Sequence, residues 1–261
     1  MSSFPVIPNR ELGQHFLVDE NILGVAGRMS ELAPDDVVLE VGAGLGILTA
    51  FLADRVRLVH AVELDRALEN PLRERLAPRR NVELVFGDAL RLPLEELDPP
   101  PGKLVANLPY QIATPLVVES LARLSALELW CVMVQREVAD RFFADPGTKS
   151  YGAVSVLVQL TAERRGFHPV ARSCFHPPPN VDSALVSFDR RRTWGAEWEP
   201  LRALVQAGFA HRRKTLANSL ELSGRERGDA TAALAEMGLE GGVRAEALRP
   251  EDFLRLAELL P

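Results

Sequence analysis

The chain is poor in cysteine, in lysine and in long apolar runs, and each shortage excludes something. Two cysteines among 261 residues, Cys131 and Cys174, stand in apolar contexts without metal-type spacing. That leaves no disulfide scaffold, and it reads as buried thiols in a reducing compartment with no metal site expected. No apolar stretch approaches the ~20 residues needed to cross a bilayer, so no membrane partner is expected. The opening MSSFPVIPNREL lacks a basic region followed by an apolar core, and a soluble, cytoplasmic protein is expected. At 47% hydrophobic and 25% charged residues the composition is that of a globular chain, neither disordered nor collagenous. Its length suggests one large domain with a smaller companion.

An excess of positive charge is missing too. Thirty Lys plus Arg against 36 Asp plus Glu give a net charge of −6, which at first sight disfavours nucleic acid, whose phosphates call for clustered Lys and Arg. The mean hides an asymmetry. Residues 161–225 carry 11 Arg or Lys and 6 Asp or Glu, a local +5, which leaves −11 for the remainder. Only Lys103, Lys149 and Lys214 are lysine, and arginine suits stacking and bidentate phosphate contact better.

What is present begins with Val37-Val38-Leu39-Glu40-Val41, a β-branched run that breaks into Gly42-Ala43-Gly44-Leu45-Gly46 and then into the helical pattern ILTAFLADR. Further strands are predicted at 58–62, ending at Glu63-Leu64-Asp65, at 82–86, ending at Gly87-Asp88, at 103–106, ending at Asn107-Leu108-Pro109-Tyr110, and at about 127–134. Strands alternating with helical patterns indicate βαβ units and a mostly parallel sheet covered on both faces. Beyond Tyr151, AVSVLVQLTA and SALVSFD read as two longer strands, an antiparallel pair at one sheet edge. After Arg190-Arg191-Arg192 the pattern is helical, near 199–221, 227–237 and 250–260, and these last ~70 residues read as a small domain. The expected division is 1–190 and 191–261.

A glycine turn after the first strand can cradle a dinucleotide, a phosphate or S-adenosylmethionine. The dinucleotide pattern G-x-G-x-x-G fails, because Ile47 stands where its third glycine would fall, and no Lys-Ser or Lys-Thr follows to make a phosphate loop. G-x-G-x-G preceded by Glu40 suits the methionine end of S-adenosylmethionine; a purely structural tight turn is the competing reading. Glu63, 21 positions beyond Gly42, can accept both ribose hydroxyls, and Asp88 can accept from an adenine amino group. Either alone also suits a solvated loop or a helix cap; together, at successive strand ends of one sheet, they favour an adenosine-containing cofactor.

Asn107-Leu108-Pro109-Tyr110 is the most chemically specific segment. A purine amine is a poor nucleophile because its lone pair is delocalised into the ring. It becomes reactive when both N–H groups are bound elsewhere and the lone pair is turned to the methyl sulfonium. The Asn107 side-chain oxygen and the Leu108 carbonyl can accept those hydrogens, Pro109 stiffens the loop, and Tyr110 offers a face to a flipped base. An Asn-initiated turn with a packed Tyr is the alternative. Phe175, beside Pro177-Pro178-Pro179, is either a second stacking wall or simply packed. His211-Arg212-Arg213-Lys214-Thr215, on a predicted helix, either grips RNA phosphates or is a solvated helix end.

GQHFLVDENI at 13–22, VLEVGAGLGILT at 38–49, VELD at 62–65, GDAL at 87–90, NLPYQIATPL at 107–116, FHPPPNVDSALV at 175–186 and HRRKTLANSL at 211–220 together resemble the ribosomal RNA adenine dimethyltransferase family, most closely its bacterial small-subunit branch. The resemblance implies a Rossmann-like, S-adenosylmethionine-dependent methyltransferase sheet with a small C-terminal helical domain. The implied reaction places two methyl groups on N6 of each of two adjacent adenosines in a 3′-terminal hairpin of 16S rRNA, within an assembling small subunit. It implies cofactor contacts at His15, Leu17, Gly42, Glu63, Asp88 and Asn107, a methyl-accepting site at Asn107, Leu108, Tyr110 and Phe175, and RNA contacts at Arg212, Arg213 and Lys214. His15 departs from the family's usual Asn. The alternatives are the antibiotic-resistance branch that methylates large-subunit RNA and a non-catalytic assembly factor; no Arg- and Ser-rich presequence points to the mitochondrial relative. No apolar stripe demands a dimer, and a monomer is expected.

Overall fold

A computed structural model of the chain describes residues 8, 9 and 12–261. The chain forms two compact units, one from the chain through Ala139 plus Glu163–Arg190, the other from Asp140–Ala162 plus Arg191–Pro261.

The first unit is built on a seven-stranded sheet. In chain order its elements are the short strand β1 (Phe16–Leu17), α1 (Glu20–Met29), β2 (Val37–Val41), α2 (Ile47–Ala53), β3 (Leu58–Glu63), α3 (Glu69–Leu76), β4 (Val82–Phe86), β5 (Lys103–Asn107), α4 (Ala113–Arg123) and β6 (Leu129–Gln135). After α5 (Arg136–Phe142) and α6 (Ala153–Thr161) come β7 (Ala162–Val170), the short β8 (Phe175–His176) and β9 (Ser183–Arg190). The sheet order is β4-β3-β2-β5-β6-β9-β7. The first five strands in that order are parallel, and β9 runs antiparallel to β6. β2 is buried along its whole length, as a central parallel strand covered on both faces must be, which is why its sequence is nearly continuous in apolar residues. The expected α/β sheet is therefore present, and it brings the ends of β2, β3, β4 and β5 to one edge, where open α/β sheets bind ligands.

Three expectations are corrected. AVSVLVQLTA is not a strand: 153–161 is helix α6, apolar nearly all round and buried at Ser155, Val156, Leu157, Val158, Leu160 and Thr161. A short apolar run rich in valine does not distinguish a buried helix from a buried strand by periodicity. The edge strand is instead β7, whose polar Glu163-Arg164-Arg165 hid it, and β9 lies between it and β6. Residues 211–214 are not helical but form the turn between α7 (Trp198–Ala210) and α8 (Leu216–Leu222), where the Thr215 hydroxyl accepts from the Asn218 N–H and caps α8. The boundary differs as well, because 140–162 folds with the second unit.

That unit packs α6, α7, α8, α9 (Arg227–Glu236) and α10 (Pro250–Leu259) around Tyr151, Val205, Leu220, Leu234 and Phe253. The Tyr151 hydroxyl donates to the Leu248 carbonyl at 2.8 Å, and the Phe209 and Phe253 rings stack with centroids 5.7 Å apart. Among the described residues no helix is long and apolar enough to cross a membrane, and no group of His, Cys, Asp and Glu could hold a metal ion.

Candidate active site

A single pocket in the first unit gathers the segments at 12–17, 40–48, 62–68, 87–90 and 107–112. Its floor is the glycine turn. Gly42 has φ +83° and Gly46 φ +74°, a region that side chains with a Cβ avoid, and a Cβ on Gly42 would lie 3.0 Å from the Pro109 ring. The turn is pinned to β3 by Gly42 N–H donating to the Val62 carbonyl at 2.8 Å.

Glu63 is fixed at both carboxylate oxygens. Gly44 N–H donates to Oε2 at 2.7 Å and Asp65 N–H to Oε1 at 2.8 Å, so its free lone pairs have one orientation. Burial pushes this carboxyl above the ordinary range, against the hydrogen bonds from Asp65, Gly44 and Leu64. Asp88 caps its own turn, accepting from Leu90 N–H at 3.0 Å, and an ion pair with Arg91 at 3.4 Å holds its other oxygen. Behind Glu63 lies Glu40, 1% exposed, whose Oε2 is buried without a hydrogen-bond partner on the pocket wall. Burial drives Glu40 up to about 8, the neighbouring Glu63 adding to the effect and Thr49 opposing it.

On the opposite side, Asn107 donates from Nδ2 to the His15 carbonyl at 3.2 Å. That bond engages the amide nitrogen and leaves Oδ1 as the acceptor the carboxamide can offer. Leu108 N–H donates to the Met133 carbonyl at 3.0 Å, anchoring the loop to β6. Tyr110 and Ser183 share a hydroxyl hydrogen bond at 2.6 Å. His15 Nδ1 lies 2.7 Å from the Pro177 carbonyl, an acceptor only, so Nδ1 carries a proton. The His15 and Tyr110 rings are 5.7 Å apart and tilted by 31°.

Of the residues singled out in the sequence, His15, Leu17, Gly42, Glu63, Asp88, Asn107, Leu108 and Tyr110 share this pocket. Phe175 does not: it is 3% exposed in the main core, paired with Leu17 across the β1–β8 ladder. Arg212, Arg213 and Lys214 lie in the second unit. The sequence reading missed Gln14, whose amide donates to Asp65 at 2.7 Å, and Leu64, 52% exposed on the pocket rim. An apolar residue between the acids Glu63 and Asp65 was the available signal for the second.

A Rossmann-like methyltransferase that uses S-adenosylmethionine is the class this fold and pocket define. Two carboxylates, Glu63 and Asp88, stand at successive strand ends, a glycine-rich turn lies on the same pocket as the acceptor loop, and an unpartnered buried Glu40 oxygen faces the pocket wall. The model of the ribosomal RNA adenine dimethylase family matches residues 8–261, and the chain belongs to that family. It is 47% identical over 249 residues, 95% of this chain and 94% of the relative, to the ribosomal RNA small subunit methyltransferase A of Rubrobacter xylanophilus. It is 43% identical to the protein of the same description from Kineococcus radiotolerans, covering 97% of this chain and 86% of that one. Among solved structures it resembles the 23S rRNA methyltransferase ErmE, with a TM-score of 0.67, 34% identity, and 94% and 99% of the two chains covered. It shares its fold with a dimethyladenosine transferase from Plasmodium falciparum, with a TM-score of 0.80, 24% identity, and 93% and 96% covered.

Proposed function

We propose that this protein dimethylates N6 of two adjacent adenosines in a 3′-terminal hairpin of 16S rRNA, acting as a cytoplasmic monomer on an assembling small subunit. The observation that carries it is the Asn107 carboxamide, its nitrogen engaged by the His15 carbonyl and its oxygen offered to the pocket that also holds Glu63 and Asp88. Glu63 holds the cofactor's ribose, Asp88 its adenine, and His15, Leu17 and Gly42 the methionine end. Bound S-adenosylmethionine supplies a methyl group on a sulfonium, already a strong electrophile. The chain's own contribution is positioning and polarisation. Asn107 Oδ1 and the Leu108 carbonyl accept the two hydrogens of the acceptor amine and turn its lone pair, and Tyr110 stacks on the base. In a second transfer the monomethylated amine has one hydrogen left, so only one of these two acceptors still holds it.

Asn107→Ala is expected to lower the methylation rate of unmethylated small subunits about 100-fold or more, as loss of a preorganised polar group does. A wild-type rate would refute the role of Asn107, and assembly function surviving without methylation would favour the non-catalytic factor. Mass spectrometry of the RNA after reaction identifies the target: dimethyladenosine in large-subunit RNA would instead favour the specificity in ErmE's description.

A further inference from the structure

We propose that Ser183 is a positioning residue for the methyl-accepting site, holding the Tyr110 ring in the place where the acceptor adenine stacks on it. The proposal rests on the assignment of Tyr110 as the stacking ring. Tyr110 stands in the loop between β5 and α4. Its side-chain hydroxyl is tied at 2.6 Å to Ser183 Oγ, and since Oη lies on the axis about which the ring turns, this bond fixes χ1 and so where the ring stands, while the neighbouring His15 ring, 5.7 Å away, limits its rotation.

Ser183 is suited to be the fixed partner. It is fully buried and is the first residue of β9, in register with Gln135 of β6. Its neighbour Asp182 is tied on both sides, its carbonyl accepting from Arg136 N–H at 3.0 Å and its carboxylate from Arg172 N–H at 3.2 Å. The anchor therefore belongs to the rigid sheet rather than to the loop it steadies. Burial pushes the Tyr110 hydroxyl above its ordinary range, against the Ser183 bond, so the phenol stays neutral. The contact is one between two neutral hydroxyls, worth far less as stability than as geometry. The other side of the ring meets His15, itself held by the Pro177 carbonyl. Tyr110 is thus braced by two segments distant in sequence, one of them through the Ser183 hydroxyl.

The test compares Ser183→Ala, Tyr110→Phe and the double variant, with unmethylated small subunits as substrate. Each single change is expected to lower kcat/KM about 3- to 10-fold, the effect of losing one neutral hydrogen bond. The double variant is expected to fall no further, since both changes remove the same bond. The dissociation constant for S-adenosylmethionine should stay at the wild-type value, because the cofactor's carboxylates are untouched. Wild-type kcat/KM in Ser183→Ala, multiplicative losses in the double variant, or an equal loss in cofactor affinity would each overturn the proposal. Tyr110→Phe removes the same bond while keeping an aromatic ring and an intact Ser183, should Ser183→Ala fold poorly. Asn107→Ala run in parallel separates the two levels: if it too is fully active, the acceptor-site assignment has failed, whereas an inactive Asn107→Ala beside a fully active Ser183→Ala removes the role of Ser183 alone.

Discussion

Glu40 is an ionisable residue taken out of water by the fold. Its carboxyl is fully buried with one oxygen unpartnered, and it is pushed up from 4.5 to about 8. The folded protein therefore binds this proton more tightly than the unfolded chain does, so stability contributed by Glu40 is present below pH 4.5 and is lost as pH rises toward 8. The cofactor-free protein is expected to lose up to about 1.4 kcal/mol of stability per pH unit across that window, with the raised Glu63 contributing in the same direction. Glu40→Gln, isosteric and unable to ionise, should flatten the slope in a urea titration repeated at several pH values. An unchanged slope would assign the effect to Glu63 alone. Glu40 was visible in the sequence only as the residue before the glycines. That its oxygen goes unpaired depends on how β2 and α2 pack, which no spacing reports.

At the scale of elements, legibility followed periodicity and punctuation. The strands β2 to β6 and the residues at their ends could be placed because glycines, acids and the Asn-Leu-Pro-Tyr segment interrupt apolar runs where a strand must stop. Helix α6 could not, because its commitment is tertiary: Ser155 Oγ donates to the Arg141 carbonyl at 2.6 Å and accepts from Gly152 N–H at 3.1 Å, contacts that a run of valine and leucine does not announce. Phe175 shows the same limit, since a Phe beside prolines reads alike whether it faces a ligand or the core. The glycine turn and the acceptor loop also meet as elements, Gly42 against Pro109. Gly42→Ala adds a methyl group at positive φ and against that ring. It is expected to cost about 1–3 kcal/mol of stability and, by displacing the loop that carries Asn107, to lower methylation beyond what cofactor affinity explains. A denaturant curve and a methylation rate on one preparation check both.

For the whole molecule, the net charge of −6 resolves into two different units. The second contains 13 Arg or Lys and 13 Asp or Glu, so the whole deficit belongs to the first. Within the second unit the charge is segregated along the chain: 191–225 carries 7 basic and 3 acidic residues, 226–261 carries 4 and 8. The basic turn at 211–214 is not uniform. Arg212 Nη2 reaches the Lys149 and Tyr151 carbonyls at 3.2 and 3.3 Å and Glu246 at 3.4 Å, which makes it a brace inside the unit. Arg213 and Lys214 are exposed and have no side-chain hydrogen bond among the described residues. We propose that phosphate contact at this turn falls to those two, with Arg212 shaping the turn that presents them. Replacing both with Gln is expected to reduce the slope of log affinity for ribosomal RNA against log salt by up to about 1.4–1.8, the value for two phosphates. Arg212→Gln is expected to lower the melting temperature instead, because three acceptors lose their donor while the Tyr151 ring stays buried. Should the slope fall as far with Arg212→Gln as with the double change, the brace would be a phosphate ligand after all; a slope indifferent to every replacement would move RNA binding off this turn altogether.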